Sequence, residues 1–216
     1  MNKVFSLKTK NNNSKNKKVE SFYEKAMEEL KDFYMINWIE NTPVVFLVDT
    51  RKDFDLLVNE KSENWIVGQN LGNDRLLLLS PEGYEKESIH RYCDEEYFFL
   101  IKHELSHLFY NIFSNEKGPN WLNEGFAIFT SGQLKKKKRI KKFKNFLKYY
   151  DHFDKGIYEE SGFVVEFLIK KFGKERVLEF LKKLKSVNNE KEFKESFEKE
   201  FGFELGYEGF NEGRRF

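Results

Sequence analysis

The chain is poor in cysteine, proline and net charge. Cys93 is its one cysteine in 216 residues, so no internal disulfide forms and the fold rests on its core. That usage suits a reducing compartment. Nothing around Cys93 marks an activated thiol, and it reads as a small residue near a helix start. No stretch approaches the roughly 18–20 uninterrupted apolar residues that span a bilayer. The amino-terminal MNKVFSLKTKNNNSKNKKVE is basic but lacks an apolar h-region, so it is not expected to be a signal peptide. A cytoplasmic protein is the expectation. The 38 basic and 36 acidic residues leave a formal charge of +2, no general reason to expect nucleic acid or membrane as a partner.

Aromatic residues, by contrast, are plentiful: they make up 17% of the chain and include 24 Phe, enough to fill a real core. Asn and Lys dominate the first 18 residues, which are expected to form a disordered basic arm. A single domain over 19–216 follows. Phe22, Met27, Leu30, Phe33 and Tyr34 recur at helical spacing, predicting a helix over about 19–36. VVFLV after Pro43 reads as a buried strand, and Asp49 or Thr50 as the cap of a short helix. WIVGQ and RLLLLS flank the turn-rich NLGND and predict a β-hairpin within 64–80.

From Asp94 the pattern turns helical. Phe98, Ile101, Leu105, Leu108 and Ile112 define one buried face, with the histidines on the opposite face. A loop with Gly118 and Pro119 ends this helix, and WLNEGFAIFTSG opens another. Further helices are expected near 135–149, 158–171, 174–186 and 189–200, the last with a Phe193, Phe197, Phe201 stripe. Strands first and helices later imply an α+β fold: a small amino-terminal sheet over one special helix, then a mostly helical half.

That special helix carries HELSH, residues 103–107. Positions i and i+4 stand one above the other, separated by about 6 Å of rise, so His103 and His107 can aim at one ion. Glu104 is turned by about 100° from His103 and reaches past the ion, where it can take a proton from water. On its own the pattern also fits a surface helix with two satisfied histidines. A catalytic zinc needs a third protein ligand. Glu124, in PNWLNEGFA, follows His107 after sixteen intervening residues, enough for a loop and an antiparallel return.

HELSH followed by WLNEGFA resembles the gluzincin zinc metallopeptidases, in particular the catalytic core of aminopeptidase N-type enzymes and the small peptidase MA-like proteins. The resemblance implies a thermolysin-like core and hydrolysis of peptide bonds in peptides or proteins. It also implies one Zn2+ per chain on His103, His107 and Glu124, with Glu104 as general base. Downstream, GIYEESGFVVEFLIKKFGKERVLEFLKKL resembles the family segment whose tyrosine hydrogen-bonds the oxyanion. The matching residue is Tyr158, with His152 as a second candidate donor. YEES stands where the family has a YEKG-like form. The GAMEN-like segment that anchors a free amino group has no acidic counterpart: VGQNLGN is the nearest stretch and reads as a hairpin turn. Exopeptidase specificity therefore does not follow. The hairpin edge is expected to hold an extended peptide by strand addition.

LKKKKRIKKFKNFLKYY, residues 134–150, has nine Lys or Arg and no acid. With +9 here and +2 overall, the rest of the chain sums to 2 − 9 = −7. The expectation is a solvated amphipathic helix with Ile140, Phe143, Phe146 and Leu147 packed beneath the lysines. Two alternatives to a general peptidase are a regulatory peptidase dedicated to one partner and a non-catalytic zinc-stabilised module. The module would bind nucleic acid or acidic partners through the basic run.

Overall fold

A computed structural model describes residues 3–7, 14–37, 42–154 and 156–213. It is α+β, with a small four-stranded sheet near the amino terminus and a helical carboxy-terminal half. The chain divides into two compact units, Met1–Leu108 and Phe109–Phe216.

The first unit runs β1 (Val4–Ser6), α1 (Ser14–Tyr34), β2 (Val44–Val48), α2 (Arg51–Val58), β3 (Gly68–Asn70), β4 (Arg75–Leu79), α3 (Pro81–Glu87) and the start of α4 (Asp94–Ser114). The sheet order is β1-β2-β4-β3. β1, β2 and β4 are parallel, with Val4 opposite Val45 and Val45 opposite Leu76. β3 is antiparallel to β4, Gln69 opposite Leu77, which is the expected hairpin with a shorter first strand. Leu76, Leu77, Leu78 and Leu79 are all fully buried, the pattern of a central strand covered on both faces.

Local chemistry sets the element ends. Thr50 Oγ1 accepts from Asp53 N at 3.1 Å and caps α2. Asn59, at φ 58°, closes that helix in the left-handed region. Ser80 caps α3, accepting from Gly83 N at 3.1 Å, and Pro81 supplies a helical φ at its first position. Tyr23 Oη donates to Pro43 O at 2.7 Å, tying α1 to the entry of β2. Residues 4–6, within the expected arm, pair with β2 instead, and α1 begins at Ser14 rather than near 19.

The second unit holds the end of α4, then α5 (Asn120–Ser131), α6 (Ile157–Phe172), α7 (Lys174–Lys183), α8 (Glu190–Phe201) and α9 (Tyr207–Glu212). Its core is aromatic. Phe193, Phe197 and Phe201 line α8 as expected, and Phe180, Phe210 and Trp121 pack among them. Helices α5 and α6 meet at glycines: a Cβ on Gly125 would lie 2.6 Å from Ser161 O, and one on Gly162 2.5 Å from Ile128 Cγ2. Only glycine lets the two backbones come this close.

Two expectations fail. The basic run forms no helix: it holds 3₁₀ turns at Gln133–Lys136 and Phe146–Lys148, joined by irregular chain. Like charges at helical i,i+3 and i,i+4 spacing repel, and a tertiary anchor supplies the alternative. The buried Glu160 carboxylate accepts backbone N–H bonds from Lys144, Asn145 and Phe146 at 2.9–3.1 Å, while Asn211 bonds both N and O of Phe143. Nor does α4 have a single buried face. Tyr97, Leu100, His103, Phe109 and Tyr110 are buried as well as Ile101, Leu105 and Leu108, whereas Ile112 is exposed. No helix among the described residues is long and apolar enough to cross a membrane.

Candidate functional site

The HELSH turn sits in the middle of α4, well away from either frayed end. Ser106, fully buried, meets the Tyr34 hydroxyl of α1 at 3.0 Å. Burial pushes the Tyr34 phenol far above its ordinary range, so it stays a neutral hydrogen-bonding group. This contact fixes the rotation of the helix against α1 from inside the motif itself.

His103 is buried and His107 half-buried. Their Nε2 atoms stand 3.2 Å apart, with the rings nearly perpendicular at 85°. Two imidazole nitrogens in this arrangement either share a proton or face one cation. Glu124, buried in the first half of α5, completes the group: ligand atoms of His103, His107 and Glu124 all lie within 4.8 Å of one another. The three residues thus form a buried group that could hold a metal ion. Nitrogen, nitrogen and carboxylate oxygen suit zinc or another divalent transition ion better than calcium or magnesium, which take oxygen ligands.

Glu104 is buried beside the edge of the sheet. Gly68 of β3 packs against its side chain, and Asn70 Nδ2 donates to its backbone O at 3.3 Å. Leu79 N donates to Val67 O and Leu71 N to Arg75 O, so odd-numbered residues carry the β3–β4 ladder. Gly68 and Asn70 therefore turn their backbone N–H and C=O to the outer side of the terminal strand. Asn70 Oδ1 is buried there and accepts no hydrogen bond.

On α5 the glycine of NEGFA has a structural reason, its contact with Ser161 O, which sets the residue beside Glu124 against α6. Tyr158 lies three residues before Ser161, on the same side of the first turns of α6, half-buried with the Phe153 ring edge-on at 5.9 Å. His152 is different. It is exposed, paired with Asp154 at 3.3 Å and stacked on Tyr149, in the irregular chain before α6. Lys137, half-buried, has Glu124 and Glu159 as its charged neighbours; burial lowers its pKa, and the two carboxylates partly oppose that.

The structure thus gathers His103, His107 and Glu124, puts Glu104 on the same turn, and leaves His152 in solvent. Gly68, Asn70 and Lys137 are neighbours of the motif residues that sequence reasoning passed over. Gly68 falls in the strand run WIVGQ and Asn70 in the turn-rich NLGND, and neither pattern signals that they lie against Glu104. Comparison with protein-family profiles, curated proteins and solved structures finds no match.

Proposed function

We propose that the protein is a zinc-dependent peptidase that hydrolyses peptide bonds in peptides or proteins, with a gluzincin-like, thermolysin-like catalytic core. The observation that carries this reading is the approach of His103 and His107 Nε2 to 3.2 Å with Glu124 in the same group. Two ligand atoms at about 2.0–2.1 Å from a tetrahedral zinc stand about 3.3 Å apart, which matches the histidine pair. The 4.8 Å outer limit of the whole group is wider, by an amount that rotation of a glutamate side chain covers.

His103, His107 and Glu124 would hold the ion, which when bound would supply Lewis-acid polarisation of a carbonyl and a more acidic water. The chain's own residues do the rest. Glu104, next in sequence to the first ligand and not one itself, accepts the proton of the attacking water and passes it to the leaving amine. The missing side chain at Gly68 leaves the space in which this buried carboxylate rests. Tyr158 donates its hydroxyl to the developing oxyanion. The outer edge of β3 takes an extended peptide as an added strand: Gly68 and Asn70 supply backbone groups and Asn70 Oδ1 an acceptor.

A zinc titration tests the site. The purified protein should hold about one zinc per chain. His107→Ala or Glu124→Ala should strip most of it, while the fold persists on its large core. Full zinc retention in both variants contradicts the ligand set.

A further inference from the structure

The segment 134–150 is not a helix, yet its backbone is held in place. Glu160, 3% exposed, draws three consecutive backbone N–H groups onto one carboxylate. The Asn211 side chain pairs with both backbone groups of Phe143, and Phe143, Phe146 and Tyr149 are buried. The aromatic residues thus act as roots, and the intervening lysines project outward.

What sets these lysines apart is their density on one short stretch. On α3, α6, α7 and α8, Lys86, Lys170, Lys182 and Lys194 each pair with an acidic neighbour: Glu82, Glu166, Glu179 and Glu198. Lys138, Lys141, Lys142 and Lys144 are exposed and enter no ion pair among the described residues. The charge of +9 against −7 for the rest of the chain is thus concentrated and largely uncompensated on one pinned stretch. The stretch is tied to the helix that carries Glu124: Asn120 N donates to Tyr150 O at 2.8 Å and Trp121 N to Tyr149 O at 3.0 Å.

We infer that this pinned lysine segment is a docking surface for acidic polypeptide, and that it selects substrates carrying an Asp/Glu-rich stretch near the scissile bond. The substrate class rests on the peptidase reading; the surface itself does not. Single-stranded nucleic acid fits less well, because binding it depends on exposed aromatic faces for base stacking, whereas Phe143, Phe146 and Tyr149 are buried and Tyr150 is half-buried. Bidentate phosphate recognition favours arginine, and the one arginine here, Arg139, is engaged by Glu166. Lysine point charges on a fixed backbone suit the dispersed carboxylates of an acidic chain, and prior ordering lowers the entropic cost of holding it.

The experiment uses full-length, zinc-loaded protein carrying Glu104→Gln, so that bound peptide is not consumed. Fluorescence anisotropy measures three ligands: a Glu/Asp-flanked peptide, the same peptide with Gln/Asn flanks, and a single-stranded RNA of similar charge. The acidic peptide should bind roughly tenfold more tightly than its neutral twin at low salt. That advantage should vanish in a Lys138→Gln, Lys141→Gln, Lys142→Gln, Lys144→Gln variant and, without any substitution, at high salt. Equal binding of the two peptides, an advantage that survives the four substitutions, or tighter binding of the RNA overturns the inference. If the wild type cleaves no peptide but lysine-dependent acidic binding persists, the peptidase reading falls and the surface stands. If it cleaves peptides with no acidic binding preference, the surface falls and the peptidase stands.

Discussion

Gly68 of β3 lies against Glu104 of α4: a Cβ at position 68 would sit 3.0 Å from Glu104 Oε1, 3.1 Å from its Cγ and 2.7 Å from Leu78 Cδ2. Leu78 is fully buried and cannot swing into solvent. The absence of a side chain at 68 therefore makes the space in which the Glu104 carboxylate rests, and it ties the strand edge to the proposed general base.

Gly68→Ala should displace Glu104 by a fraction of an ångström, since the buried leucine yields less readily than the carboxylate. Peptide hydrolysis should fall roughly 10–100-fold, the scale of a small misplacement of a catalytic group. Zinc content should be unchanged, because neither residue is a ligand, and overpacking should cost about 1–3 kcal/mol of stability. Kinetics, metal analysis and thermal melting on one preparation check this. Wild-type turnover in a fully folded Gly68→Ala protein would remove the link between the strand and the base.

Tyr158→Phe deletes only a hydroxyl. If that hydroxyl meets the oxyanion, kcat and kcat/KM should fall together by roughly 10²–10³-fold with KM nearly constant. His152→Ala should change little, since that ring is exposed and bonded to Asp154. The opposite pattern would exchange the two roles, and near-normal activity in both variants would place the oxyanion donor elsewhere.

Glu160→Gln turns a carboxylate that accepts from three backbone N–H groups into an amide with its own donors pointed at them. Losing bonds to a charged, buried acceptor should cost about 1.5–3 kcal/mol. Hydrogen exchange at the amides of residues 143–148 should accelerate ahead of the rest of the unit. Unchanged protection there would show that the aromatic roots alone hold the segment.

The parts of this structure that were legible in the sequence are those whose cause is local. The β-branched and aromatic run at 44–48, the Thr50 cap, the turn between β3 and β4 and the Phe193, Phe197, Phe201 stripe each depend on neighbours a few residues away, and each was found where expected. The i,i+4 histidines of α4 belong to the same group. What escaped depends on distant partners. Val4–Ser6 is too short to signal a strand until β2 pairs with it. The apolar spacing of α4 gives it one buried face, with the histidines opposite, whereas His103, Tyr97 and Phe109 are buried as well. The basic run looked helical because Glu160 and Asn211, which hold it otherwise, lie well downstream in the sequence. The role of Gly68 was invisible for the same reason: only the folded chain brings Glu104 to it.

The central claim is that Glu104 drives hydrolysis at a zinc site made by His103, His107 and Glu124. The most direct measurement is digestion of a broad peptide library, read by mass spectrometry, with wild type and Glu104→Gln side by side at equal zinc content. The wild type should cleave library members at defined bonds, and Glu104→Gln, which keeps the shape of the side chain and all three ligands, should cleave none above background. A fully zinc-loaded wild type that leaves the library intact, or a Glu104→Gln variant that cleaves it equally well, would contradict the account.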